Sequence, residues 1–246
     1  MGVGSLVVIR HAGSAAVRAA AALLPALFAA IAIGPDAAAQ VAPSAAEKAG
    51  YTGLFAAAAS GDAAGIARLA AGGADVNARD GRARTPLHVA AHAGQRDAMR
   101  ALAKAGADPN ALEGDRYDIV TIAAVANDLP TLTVALELGC SAKNVTSRYD
   151  GTALIAAAHL GHVEIVRALI RAGAPLDHVN NLGWTAVIES IVLGDGGARH
   201  TATLKALIDA GANPNIADRG GATPLRLARD RGYREMVAVL QHAGAR

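Results

Sequence analysis

One spacing governs this chain from about residue 50 to residue 246. A glycine followed by a small residue recurs at Gly73-Ala74, Gly106-Ala107, Gly139-Cys140, Gly173-Ala174, Gly211-Ala212 and Gly244-Ala245, at steps of 33, 33, 34, 38 and 33 residues. A second ladder, Thr52, Thr85, Asp118, Thr152, Thr185 and Thr223, steps by 33, 33, 34, 33 and 38. Both ladders find the same irregularity, five extra residues in the fifth unit, and two ladders in register are not coincidence. A fixed period of this length marks an array of small units, none of which buries its apolar face alone.

Within a unit the pattern is that of two short helices. Thr85 is a natural N-cap and Pro86 suits the first helical position of the segment Thr85 to Ala91. Gly94 ends that helix. A second run, Asp97 to Ala105, carries Ala98, Leu102 and Ala105 at helical spacing before Gly106 stops it. The polar loop Ala107 to Arg116 leads onward. The same reading covers Leu54–Ser60 with Ala64–Ala71, Ala153–Leu160 with Val163–Ala172, and Pro224–Arg231 with Glu235–His242.

These segments resemble the ankyrin repeat. Thr-Pro-Leu-His-x-Ala-Ala-x-x-Gly stands intact as Thr85 to Gly94, and Thr223-Pro224-Leu225 with Ala228 and Gly232 repeats it. Gly161 to Val166 matches the start of the family's second helix, and Gly-Ala-Asp/Asn-x-Asn stands at Gly73, Gly106 and Gly211. Departures gather in the third unit, where Asp118-Ile119-Val120-Thr121 opens the helix, Asn127 replaces glycine and Pro130 begins the second helix. The resemblance implies an all-α solenoid of about six helix-turn-helix repeats, at 50–83, 84–116, 117–150, 151–183, 184–221 and 222–246. It also implies a structural hydrogen-bonding role for His88 and a protein-binding function.

Composition agrees. Alanine fills about a quarter of the chain and aromatics only 3%. That suits closely packed helices and suits strands poorly. A net charge of +2, from 23 basic and 21 acidic residues, argues against a nucleic-acid partner. The arginines and glutamate of the last unit supply the polar face that a terminal cap needs.

Residues 1–39 read as a secretory signal peptide. Arg10 and Arg18 precede the uncharged stretch Ala19 to Ile33, and Ala37-Ala38-Ala39 offers a cleavage site after Ala39. The fifteen-residue stretch is short for a membrane span, which needs about 20 residues. The expectation is a periplasmic or secreted protein with no stable membrane insertion once the leader is removed, and a loose lead-in at 40–49. Cys140 is the one cysteine, so no intrachain disulfide forms, and it reads as a small buried residue.

Few residues suggest chemistry. His88 and His92 stand at i and i+4, as metal ligands can, but no glutamate follows His88 and the third-ligand pattern is missing. His92 and His159 hold the same position in units too far apart to share an ion. Gly194-Asp195-Gly196-Gly197 follows a helix and lacks the Lys-Ser/Thr of a phosphate loop. The expectation is a monomer without metal, cofactor or catalysis.

The candidate partner-binding residues are Arg82, Arg116, Tyr117, Asp118, Tyr149, Asp150, His159, His178, Trp184, Glu189, Asp195, Arg199 and His200. Arg, Tyr and Trp dominate binding hot spots, and Tyr117, Tyr149 and Trp184 fall at loop-to-helix junctions. The extra residues of the fifth unit are expected to emerge as a loop on one face. Asp195 and Arg199 there either cap helices and pair with each other or contribute to a recognition patch. The segment Tyr117 to His200, by its Asn180 to Ala186, Gly194 to Gly197 and Arg199-His200, also resembles a subgroup of secreted bacterial ankyrin proteins. The leading expectation is an exported interaction scaffold that uses its loop tips and concave helix face. Two alternatives stay open: a small-ligand or enzymatic site on units three to five around Gly194–His200, and an accessory or immunity factor for an exported enzyme. Convergence of Asp118, Asp150, Glu189 and His200 on one pocket would favour the ligand site.

Overall fold

A computed structural model describes residues 40–246. The leader at 1–39 and its cleavage after Ala39 lie outside the described residues. Each unit folds as the spacing predicts, into a first and a second helix. The pairs are α2 (Gly53–Ser60) with α3 (Ala63–Ala71), α4 (Pro86–His92) with α5 (Arg96–Lys104), and α6 (Ile119–Val125) with α7 (Leu129–Glu137). They continue as α8 (Ala153–Leu160) with α9 (Val163–Arg171), α10 (Ala186–Val192) with α11 (Ala198–Asp209), and α12 (Pro224–Asp230) with α13 (Arg234–His242). A short helix, α1 (Ala45–Gly50), precedes them. Among the described residues the β structure is one isolated bridge, between Thr146 and Gly151.

From the second unit on, the threonine ladder is a ladder of caps; Thr52 stands at the N-cap of α2 without a side-chain hydrogen bond to it. Thr85, Thr152, Thr185 and Thr223 each accept a hydrogen bond from the backbone N–H three residues on. Asp118 does the same for Thr121. Each cap satisfies one of the donors that a helix start leaves open. Asn127 takes glycine's place in the third unit with φ +55°, a left-handed conformation that asparagine tolerates better than most residues.

First helices pack on first helices and second on second, giving two layers along the array. The core between them is aliphatic and small: Ala58, Ala90, Ala124 and Ala158 are fully buried in successive first helices, against Ile66, Leu102, Leu132 and Leu169 of the second. A methyl side chain at the contact lets neighbouring backbones approach, which is where the alanine content goes. Cys140 is buried in this core, and burial pushes its thiol well above the ordinary range.

Two expectations are corrected. The extra residues of the fifth unit do not form a projecting loop. The turn Leu193–Gly197 is two residues longer than the turn between α4 and α5, and α11 has twelve residues where α5 has nine. Most of the added length therefore becomes almost one more helical turn. The lead-in at 40–49 is not loose either. Ser44 and Glu47 close a capping box on α1, and Glu47 pairs with Arg84 of the second unit.

Candidate protein-interaction surface

The loop between consecutive units is shaped by a side chain that sequence reasoning passed over. The Asp80 carboxylate accepts from the N–H groups of Arg82 and Arg84, Glu113 from Asp115 and Tyr117, Asn180 from Leu182 and Trp184, and Asp218 from Gly220 and Ala222. In the third unit Ser147 accepts from Tyr149. These residues recur at the same steps as the threonine ladder, so a third ladder was there to be read. Each folds the chain back on itself in a tight polar turn. A further recurring residue, the last Asn of Gly-Ala-Asp-x-Asn, ties units together. Asn77 accepts from the Asp108 N–H at 2.9 Å, and Asn110 accepts from Ser141 at 2.9 Å.

The loop tips join edge to edge. The Gly114 N–H donates to the Arg82 carbonyl at 2.8 Å, Ser147 to Arg116 at 2.9 Å, and Asn181 to Tyr149 at 2.9 Å. Units one to four thereby present one continuous strip of tips. Along it Arg116 pairs with Asp150 at 3.0 Å and Arg148 with Asp115 at 3.7 Å. Arg82 lies 3.7 Å from Glu47. Arg116 and Asp150 both hold positive φ, +66° and +51°, at a tip position where the fourth and fifth units carry Gly183 and Gly221. Tyr117, Tyr149 and Trp184 are half-buried beside this strip, with Tyr117 and Trp184 resting against the core. His178 is half-buried and its Nε2 donates to the Asp150 carbonyl at 2.6 Å.

Three candidate residues do not reach this surface. Asp118 is buried, capping α6 and accepting from Asn144 at 2.8 Å. Glu189 is buried, with the Asn180 amide donating to its Oε1 at 3.0 Å and His159 Nδ1 lying 3.5 Å from Oε2. His200 is buried as well, its Nδ1 2.8 Å from the Asp195 carboxylate and its Nε2 2.9 Å from the His159 carbonyl. Asp195 thus pairs with His200 and caps Gly197, while Arg199 points outward and makes no pair with it.

Nor do the four residues named for a pocket converge. Asp118, Asp150, Glu189 and His200 each settle on separate partners, although His159 links the last two through its ring and its carbonyl. An open groove of about 870 Å³ lies between α2 and α3, and one of about 390 Å³ between α9 and α11; no candidate residue lines either.

The histidines serve structure. His88 Nδ1 lies 3.1 Å from the Thr85 N–H and its Nε2 is 3.0 Å from the Ala111 carbonyl, which staples the second unit to the following loop. Burial pushes the ring down to about 4, against the pull of the carbonyls of Tyr117 and Ala111. Burial lowers His92 to about 4 also, with His88, Arg84 and Lys48 adding to it. Among the described residues no group of three or more His, Cys, Asp or Glu is placed to hold a metal ion, and no helix is long and apolar enough to cross a membrane.

Comparison with known proteins agrees with this geometry. The family profile described as "Ankyrin repeats (3 copies)" matches residues 20–113 and 120–218. YahD, an ankyrin repeat protein of Escherichia coli K12, is 38% identical over 125 residues, which is 50% of this chain and 62% of that protein. Cyclin-dependent kinase 4 inhibitor B of Homo sapiens is 39% identical over 94 residues, 38% of this chain and 64% of that one. The chain thus spans somewhat under two thirds of the length of these relatives. The crystal structure of an ankyrin repeat domain from Acinetobacter baumannii AYE superposes with a TM-score of 0.74 at 44% identity, covering 78% of this chain and 98% of that one. Ankyrin repeats are in general protein–protein interaction modules and typically not enzymes. With its helix pairs, its caps and a matching profile over most of its length, the chain belongs to the ankyrin repeat family.

Proposed function

We propose that this protein is an exported, non-catalytic scaffold that binds another protein through the loop tips and first-helix face of units three to five. The observation that carries the reading is the strip of tips joined by backbone hydrogen bonds, with Tyr149, Trp184, Arg116 and Arg148 along it. Rigid tips cost little ordering entropy on binding, and aromatic and arginine side chains carry most interface energy. Repeat arrays use such extended surfaces for partners. The leader pattern at residues 1–39 supports export.

A photo-crosslinking residue at position 149 or 184, compared with one at Arg171 on the second-helix layer, tests the surface. A partner protein crosslinked from the tips and not from position 171 is the expected result. Crosslinking from position 171 alone would overturn it. Export is tested by sequencing the protein from the periplasmic fraction, where Gln40 is the expected first residue; an intact leader on soluble cytoplasmic protein would sink that part.

A further inference from the structure

Residues 41–51 lie before the first helix pair, yet they are tied down. None of the residues of α1 is buried. On either side of it Pro43 is buried and Tyr51 stacks on Phe55 of α2 against the core, while the polar ties of the segment meet on one side chain. Arg84 donates from Nε to Asp80 at 2.7 Å, from Nη1 to the Val41 carbonyl at 3.2 Å, and from Nη2 to Glu47. Arg82 lies against the same Glu47 carboxylate, and the Tyr51 hydroxyl donates to Asp80 at 2.7 Å. Arg84 is the one buried arginine or lysine among the described residues, with 1% exposure, and two of its three side-chain partners belong to this segment.

The position of Arg84 matters. It stands immediately before the threonine ladder, where unit three carries Tyr117 and unit five carries Trp184. The position that holds an aromatic ring in those units holds, in unit two, an arginine bound to the protein's own N-terminal segment. Without it, Arg84 would keep Asp80 as its one hydrogen-bonded carboxylate, and Arg82 would lose the carboxylate it lies against.

We propose that residues 41–51 are a displaceable strap over units one and two, and that Arg84 and Arg82 beneath it receive a carboxylate from an acidic helical segment of the partner in its place. The proposal rests on the protein-binding reading above. The helix of the strap buries none of its residues and is held by hydrogen bonds and ion pairs, with apolar contact only at Pro43 and Tyr51 on either side, so it yields to a segment that offers the same carboxylate and more apolar contact. Arg84 suits the exchange, because its planar guanidinium stays charged in either state and engages a carboxylate through fixed donors.

The test uses the full chain and a fluorescent peptide with the sequence of residues 40–51. In the wild-type protein the tethered strap competes at an effective concentration in the roughly millimolar range, so the peptide is excluded. Glu47→Arg breaks the latch by placing like charges together. The peptide is expected to bind that variant at least tenfold more tightly than wild type, and a peptide carrying Glu47→Gln is expected not to bind. Amide exchange over residues 45–50 rises at least tenfold in both Glu47→Arg and the milder Glu47→Gln protein, while α4 to α9 stay protected. Equal peptide binding to both proteins, binding to neither, or unchanged exchange in the variants overturns the strap. So does loss of the whole helical signal in Glu47→Gln, which makes the segment a structural cap. No partner enters this assay, so its failure leaves the protein-binding reading standing, and a failed crosslinking experiment leaves the strap readable.

Discussion

Glu189 is the residue most at odds with its neighbours. Its position in the other units holds Ala56, Val89, Ile122, Ala156 and Leu227, all apolar. Burial raises its carboxyl to about 7, with only the Asn180 amide acting against it. Its Oε2 is buried without a hydrogen bond, and burial together with nearby His200 pushes the His159 ring down, so that ring supplies little charge to hold the carboxylate. A folded value above the unfolded one means stability that is full below about pH 4.5 and lost as pH rises through about 7. Glu189→Gln removes the charge, and the variant is expected to match wild type near pH 4 and exceed it above pH 7 by up to roughly 3 kcal/mol. His88 and His92 run the other way. Their folded values near 4 give stability that is present above 6.5 and lost on acidification. Urea melts from pH 4 to 8 therefore show a wild-type profile flattened by opposed terms and a Glu189→Gln profile that falls steadily toward acid; identical profiles would refute the assignment. Asp118 makes the complementary case. It attracts attention as an acid at a loop junction, but it caps α6, and Asp118→Ala is expected to lower stability by about 1–2 kcal/mol in a thermal melt.

At the scale of the element, what was legible followed from period and from caps. Helix starts at Pro86, Ala153, Ala186 and Pro224 fall one residue after the threonine ladder because a side-chain oxygen there satisfies a helical N–H. The lengthened α11 was not legible, because glycine-rich Gly194 to Gly197 reads as loop whether it projects or merely turns. What decides is contact from other units: the Tyr233 hydroxyl donates to the Gly194 carbonyl at 3.0 Å, and His200 reaches back to the His159 carbonyl. Those partners lie 39 and 41 residues away in sequence, beyond any local pattern. The docking of α1 was hidden for the same reason, since nothing near Glu47 announces Arg84. The candidate site was legible as residue types at the tips and illegible as to which of them the fold consumes. His200→Ala leaves the His159 carbonyl without this partner and is expected to cost about 1–3 kcal/mol. Amide exchange is expected to rise across 194–209 first; a variant that loosened only α2 to α5 would contradict the staple.

Over the whole array, stability is a sum of unit terms and nearest-neighbour interface terms. The ends have one neighbour each, and they bury less: α3 buries Gly65 and Ile66 and α13 buries Met236 and Leu240, whereas α7 buries Thr131, Leu132, Val134 and Ala135. The array is therefore expected to open from its ends, with exchange slowest in α6 to α10. Leu132 and Leu240 separate position from chemistry, because both are fully buried leucines in second helices. Truncation to alanine removes the same atoms from each, a change worth about 2–5 kcal/mol in a packed interior. In Leu240→Ala the penalty falls on a terminal interface, so α12 and α13 exchange faster while α6 to α9 keep their protection. In Leu132→Ala it weakens two interfaces at once, so protection drops on both sides of the third unit and the urea midpoint of the whole array falls. Hydrogen exchange read segment by segment distinguishes the two. Equal loss across all six units from Leu240→Ala would mean that the array melts as one block, and the nearest-neighbour account of its stability would then be wrong.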